Sequence, residues 1–67
     1  MLIKDSNKFL HSFFFSADEY SADAIDKAVD SSIVQCCINA KMIREKCDRH
    51  GRRLYVILEE GKRVVGK

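Results

Sequence analysis

No proline and no tryptophan occur in the 67 residues, and glycine is limited to Gly51, Gly61 and Gly66. So few chain breakers favour helices with short connections over a loop-rich scaffold. Long apolar runs are missing too. The longest, Phe13-Phe14-Phe15 and Leu54-Tyr55-Val56-Ile57-Leu58, fall far short of the roughly 20 residues of a membrane-spanning helix, so neither a transmembrane span nor a membrane partner is expected. The N-terminus reads Met-Leu-Ile-Lys-Asp and soon meets Ser6, Asn7 and Lys8. It has no basic region, apolar run or small-residue cleavage site of a secretory signal, and a cytoplasmic location is expected.

Cysteine is scarce as well. Three residues, two of them the adjacent Cys36 and Cys37, make a poor disulfide framework, so free thiols are expected. Cys47-x-x-His50 has ligand-like spacing. On one straight helix, however, Cys36 and Cys47 would stand about 16 Å apart at 1.5 Å per residue. The cysteines are therefore read as small hydrophobes and no metal is expected. Catalytic signatures are absent: there is no glycine-rich phosphate loop, His-Glu-x-x-His or nucleophile elbow. His11 reads as a helix residue beside the Phe cluster, and His50, next to Gly51, as a partner of a helix C-terminus. No enzyme, no catalytic residue and no cofactor is expected.

What is present suits a small folded unit. With 46% hydrophobic and 33% charged residues, the chain supports a core. A single domain over residues 1–67 would bury only about 60% of the surface its unfolded form exposes.

Leu2-Ile3-Lys4 is compatible with a short initial strand, and Asp5 or Ser6 with a helix N-cap. Phe9, Leu10, Phe13 and Phe14 share one helical face; a strand through Phe9–Phe15 is the competing reading, and helix is favoured. Ser16-Ala-Asp-Glu19 has the form of a capping box, so a second helix starts there or at Ser21, with Tyr20, Ala24, Ile25 and Ala28 as its apolar stripe and Val29 at the edge. Asp30-Ser31-Ser32 caps a third helix. It is read from Ile33 to His50, closed by Gly51, with a stripe of Cys36, Ala40, Ile43 and Cys47. Leu54–Leu58 is rich in strand formers, Glu59-Glu60-Gly61-Lys62 reads as a turn, and Arg63-Val64-Val65 as a return strand, with Glu59 facing Lys62. The expected class is α+β: three helices, then a C-terminal β-hairpin, with a short N-terminal strand as an option.

Charge is distributed unevenly. Residues 1–35 hold three Lys against six Asp/Glu, a net −3, and residues 36–67 hold nine Lys/Arg against four Asp/Glu, a net +5. Such asymmetry points to a polyanionic partner or to an acidic protein surface. The basic residues gather at the end of the long helix (Lys41, Arg44, Lys46, Arg49), at Arg52 and Arg53, and at Lys62, Arg63 and Lys67. These would suit phosphates. Gln35, Asn39, Met42, Lys46 and Arg49 fall along one line of that helix, and Gln and Asn can pair bidentately with adenine edges. The plainer reading is an ordinary solvated surface.

Three helical segments and a hairpin resemble the order of elements in winged helix-turn-helix proteins, and the initial strand adds a likeness to the phage Cro repressors. Gly51-Arg52-Arg53-Leu54-Tyr55-Val56-Ile57 is similar to the Gly-Arg-basic-aliphatic-aromatic-aliphatic run that follows the Cro recognition helix. The resemblance implies a supporting helix at Ser21–Asp30, a recognition helix at Ile33–Arg49, and wing or backbone contacts from Arg52, Arg53, Lys62 and Arg63. It departs from that pattern in lacking glycine at Asp30-Ser31-Ser32 and in an acidic supporting helix. The leading expectation is a phage- or mobile-element-type transcription regulator that binds duplex DNA as a homodimer through Gln35, Asn39, Lys41, Lys46, Arg49, Arg52, Arg53, Lys62 and Arg63. The alternative is a small inhibitor or adaptor that docks on a partner protein with the hairpin edge or the acidic Asp18–Asp30 face.

Overall fold

A computed structural model describes residues 2–66; Lys67 of the basic set lies outside them. The Asp5 carboxylate accepts the Asn7 amide at 2.9 Å and starts α1 (Ser6–Phe14). Phe9, Leu10 and Phe14 are fully buried on its inner face. Rings of Phe13 and Phe14 each meet Phe9 edge-on with centroids 5.9 Å apart, a preferred aromatic geometry.

The capping-box reading at Ser16–Glu19 does not hold, because Glu19 and Tyr20 belong to a short strand, β1 (Glu19–Ser21). Tyr20 is therefore not part of a helical stripe: it lies 40% exposed with its ring edge-on to Phe13, 4.8 Å between centroids. Helix α2 (Ala22–Ala28) begins at the other expected cap, with Ser21 Oγ accepting from the Ala24 amide. Its buried side is Ala22 and Ile25, with Val29 buried just beyond. The N-terminal option reduces to one parallel bridge between Ile3 and Val29. Helix α3 (Ser31–Asn39) is capped by Asp30, whose carboxylate accepts from the Ser32 amide and hydroxyl at 3.0 and 2.8 Å. Those bonds favour the ionised form and lower the Asp30 pKa.

The long helix to His50 is overturned: α3 stops at Asn39. The Met42 amide donates to the Cys37 carbonyl (2.9 Å) and the Lys41 amide to that of Ile38 (3.1 Å). This nested pair is a Schellman closure, which requires a left-handed residue at the position Lys41 occupies. Lys41 has φ 63°, so the stop is made without the glycine that normally announces it. The supposed stripe of Cys36, Ala40, Ile43 and Cys47 dissolves. Val34 and Cys37 carry the buried side of α3, and Ile43 and Cys47 bound a strand, β2 (Ile43–Cys47). Cys36 and Cys47 are therefore not spaced along one helix; both are exposed.

Strand β2 pairs antiparallel with β3 (Arg53–Ile57), from Ile43 opposite Ile57 to Cys47 opposite Arg53. The turn between them is held by Asp48. Its carboxylate accepts the amides of His50 (2.8 Å) and Arg52 (2.9 Å), and Gly51 takes φ 79°. The Asp48 amide also donates to the Arg52 carbonyl at 2.9 Å, so three residues, 49–51, lie between these two, the last left-handed, as in a three-residue hairpin loop.

β1 pairs on the other edge of β3, giving a three-stranded antiparallel sheet of order β1-β3-β2. With both sides of β3 occupied, Arg63-Val64-Val65 has no strand to return to. Residues 59–65 instead form α4 (Glu59–Val65), with Glu59 and Glu60 at its positive end and Lys62 and Arg63 at its negative end, as the helix dipole favours. The turn at Glu59–Lys62 and the Glu59/Lys62 cross-strand pair are thereby replaced. Gly61 is buried so closely that a Cβ there would press on the Met42 carbonyl and on Ile57 Cγ1 at 2.7 Å.

The class is α+β, with four helices and a three-stranded antiparallel sheet. It differs from the expected arrangement in a strand between the first two helices, a hairpin from Ile43 to Ile57, and a helix after it. Side chains from all four helices and from β2 and β3 share one core.

Candidate nucleic-acid interface

The nine candidate residues divide into three places. Gln35 and Asn39 lie one turn apart on the exposed side of α3, where Gln35 Nε2 donates to Asn39 Oδ1 at 3.1 Å. Lys41 follows directly in the left-handed closure and is exposed. No lysine or arginine occurs within Ser31–Asn39, so this helix surface is polar and uncharged.

Arg49 and Arg52 flank His50 and Gly51 in the β2–β3 turn, all four exposed. The Arg52 Nε stands 3.9 Å from Asp48 Oδ2, but its side chain is 75% exposed. An ion pair of that length on the surface leaves the guanidinium largely available. Lys41 and Arg49 have no ion pair among the described residues. β2, about 13 Å long at 3.3 Å per residue, lies between these two groups in the chain.

The remaining candidates are not brought to either group as free charges. Lys46, on β2, forms an ion pair with Glu19 of β1 across the sheet. Arg53 is the centre of a cluster. One terminal nitrogen reaches Asp23 and Asp26 of α2, each at 3.4 Å, and the other reaches Glu45 of β2 at 3.1 Å and the Tyr55 hydroxyl at 3.5 Å. The Tyr55 hydroxyl donates in turn to Asp26 at 3.2 Å. Hydrogen bonding and charge from Glu45 raise the Arg53 pKa further above its ordinary value. Burial, then the Asp26 carboxylate, raise that of Tyr55. Arg53 thus ties the turn end of the hairpin to α2, and its guanidinium is engaged by carboxylates.

Lys62 and Arg63 lie on α4, which follows the Ile57 end of β3, opposite the turn, and packs on α1. Arg63 is paired with Glu60 at 3.2 Å. They do not join Arg49 and Arg52.

The acidic residues of α2 also find a place. Asp23, Asp26 and Glu45 surround one guanidinium, three negative charges on one positive, leaving a local net of −2 beside the hairpin. One basic residue left out of the candidate set is Arg44, exposed on the sheet opposite Val56 with no ion pair among the described residues. Its place follows from strand alternation, which a helical reading of Ile43–Cys47 hides. The signal for the turn was Asp48-x-x-Gly51, an acceptor side chain followed by a residue tolerant of positive φ.

The sequence matches no protein-family model, and comparison with the curated proteins and with the solved structures returns no match.

Proposed function

We propose that this chain is a small DNA-binding regulator of the winged helix-turn-helix kind. On this reading α3 lies in the major groove and the β2–β3 hairpin serves as the wing. The observation that carries the reading is the pairing of two complementary surfaces on consecutive elements: an uncharged polar helix face at Gln35 and Asn39, and free cationic groups at Lys41, Arg49 and Arg52. Base edges are read by neutral donors and acceptors, while phosphates are held by cations. The order helix, strand, two helices, hairpin supports the same reading. A homodimer on paired half-sites would give so small a contact surface useful affinity.

Fluorescence anisotropy with a mixed-sequence duplex at low salt tests this. Binding is expected to weaken steeply with salt, and removal of Arg49 or Arg52 to reduce the slope of log K against log salt by roughly 1 each. Charge reversal at both is expected to abolish binding while the far-ultraviolet circular dichroism is kept. Absence of binding to any mixed-sequence duplex at low salt refutes the reading.

A second reading, a protein-docking adaptor, is favoured by the net −2 cluster at Asp23, Asp26 and Glu45 and by Phe15, which is 68% exposed. A stoichiometric protein partner recovered from nuclease-treated lysate and lost on charge reversal at Asp23 supports it.

A further inference from the structure

We propose that Asn39 is the residue that distinguishes adenine from guanine in the bound duplex, and that Gln35 is a positioning residue that sets which way the Asn39 carboxamide faces. This rests on the duplex-binding reading and names what its helix surface recognises.

Side chains on a helix lean toward its N-terminus, so residues four apart meet. Asn39 closes the last turn of α3 and leans back on Gln35, whose Nε2 donates to Asn39 Oδ1 at 3.1 Å. Both are exposed. A carboxylate at either place would repel phosphate, and a cation would be drawn to it. A carboxamide does neither, so its hydrogen bonds remain for base edges. With Oδ1 held toward Gln35, the Asn39 Nδ2 donors are directed away, and Oδ1 keeps a second lone pair for another donor.

Asn39 therefore offers one donor and one acceptor in a fixed order. Adenine presents the complement in the major groove, an N7 acceptor beside an N6 donor, whereas guanine presents two acceptors, N7 and O6. Guanine would set its O6 against Oδ1, acceptor on acceptor. Without the Gln35 bond the carboxamide could turn over, and the order of donor and acceptor would no longer be set in advance.

The same geometry separates preference from attraction. Because Ser31–Asn39 has no lysine or arginine, changes at Gln35 and Asn39 should alter which sequence is preferred without altering the salt slope. Changes at Arg49 and Arg52 should do the reverse.

The test begins with selection of bound duplexes from a random-sequence pool by the unmodified chain. Affinity is then measured for a selected duplex with each adenine replaced in turn by 7-deazaadenine, which keeps Watson–Crick pairing and removes N7. At least one replacement should weaken binding about 2- to 13-fold, the span of the single hydrogen bond that N7 accepts. The same replacement should have no effect on N39A, and a reduced effect on Q35M, which keeps the side-chain shape without the donor. Both variants should retain the wild-type salt slope. If duplexes bind with salt sensitivity but no adenine depends on N7, or if N39A selects the same sequences as wild type, this inference is overturned while duplex binding stands. If no member of the pool binds at low salt, both fail.

Discussion

Replacing Lys41 by glycine should make the protein more stable, although the change puts the most flexible residue next to a helix. Lys41 holds φ 63° at the close of α3, and a left-handed conformation costs an L-residue other than glycine roughly 1–2 kcal/mol. Glycine removes that cost. Against this stands its greater loss of backbone freedom on folding, about 0.5–1 kcal/mol. No ion pair among the described residues is lost with the lysine, and the closing bonds from the Lys41 and Met42 amides are unchanged by the side chain. The balance is a gain of up to about 1.5 kcal/mol, or a rise in Tm of up to roughly 12 °C for a domain of this size. Urea unfolding of K41G and wild type, followed by circular dichroism, measures it. A continuous helix through residue 41 makes the opposite prediction, a loss of about 1 kcal/mol for glycine in a helix interior. A lower midpoint for K41G therefore refutes the Schellman closure. The same variant should bind duplex DNA more weakly, so that stability and affinity move in opposite directions.

Gly61→Ala, which helix propensity alone would favour by about 1 kcal/mol, should instead destabilise by about 1–3 kcal/mol, because the new methyl meets the Met42 carbonyl and Ile57; an unchanged or raised urea midpoint refutes that packing. Ala at Gly51, where nothing lies within 4 Å but φ is 79°, should cost about 1–2 kcal/mol through the left-handed backbone alone. Burial, then the neighbouring Cys36, push the Cys37 thiol from 9.0 up to about 11. Since folding holds this proton more tightly, the associated stability is present below 9.0 and lost as pH rises through about 11. In the native protein a thiol reagent should modify Cys36 and Cys47 quickly and Cys37 only on unfolding, and equal rates for all three refute its burial. Asp30, with its pKa lowered from 3.8 by bonds from Ser32, contributes stability above 3.8 that fades as pH falls through its folded value. The gap in urea midpoint between wild type and D30A should therefore narrow in acid, and a constant gap refutes the cap. Replacing Arg53 by Gln should lower the urea midpoint by an amount that shrinks with added salt, since the groups it ties together are exposed.

Caps and faces governed by neighbours in sequence were legible. Asp5 and Asp30 start helices, Ser21 starts α2, and Phe9, Leu10 and Phe14 form a buried face, because a side chain bonding its own backbone and a 3.6-residue period are local properties. Leu54–Leu58 was legible as a strand, one residue off the β3 that forms, because its β-branched and aromatic residues suit a pleated, half-buried surface. The uneven charge and the polar character of Gln35 and Asn39 were equally plain.

What tertiary structure decided was which of two local options each ambiguous segment took. Ile43–Cys47 fits a helical stripe and a strand equally well, and pairing with β3 chose the strand. Once β1 and β2 had filled both edges of β3, residues 59–65 had no hairpin return beside it and form a helix, which carries Lys62 and Arg63 away from the turn. Ion pairing likewise depends on partners far along the chain: Asp23 and Asp26 hold Arg53, Glu19 holds Lys46, and Arg49 has no such partner among the described residues. The sequence by itself determined that a basic second half exists; only the packing of the sheet against α2 decided which of its charges remain free, because neutralisation is set by distance in space and not by position along the chain.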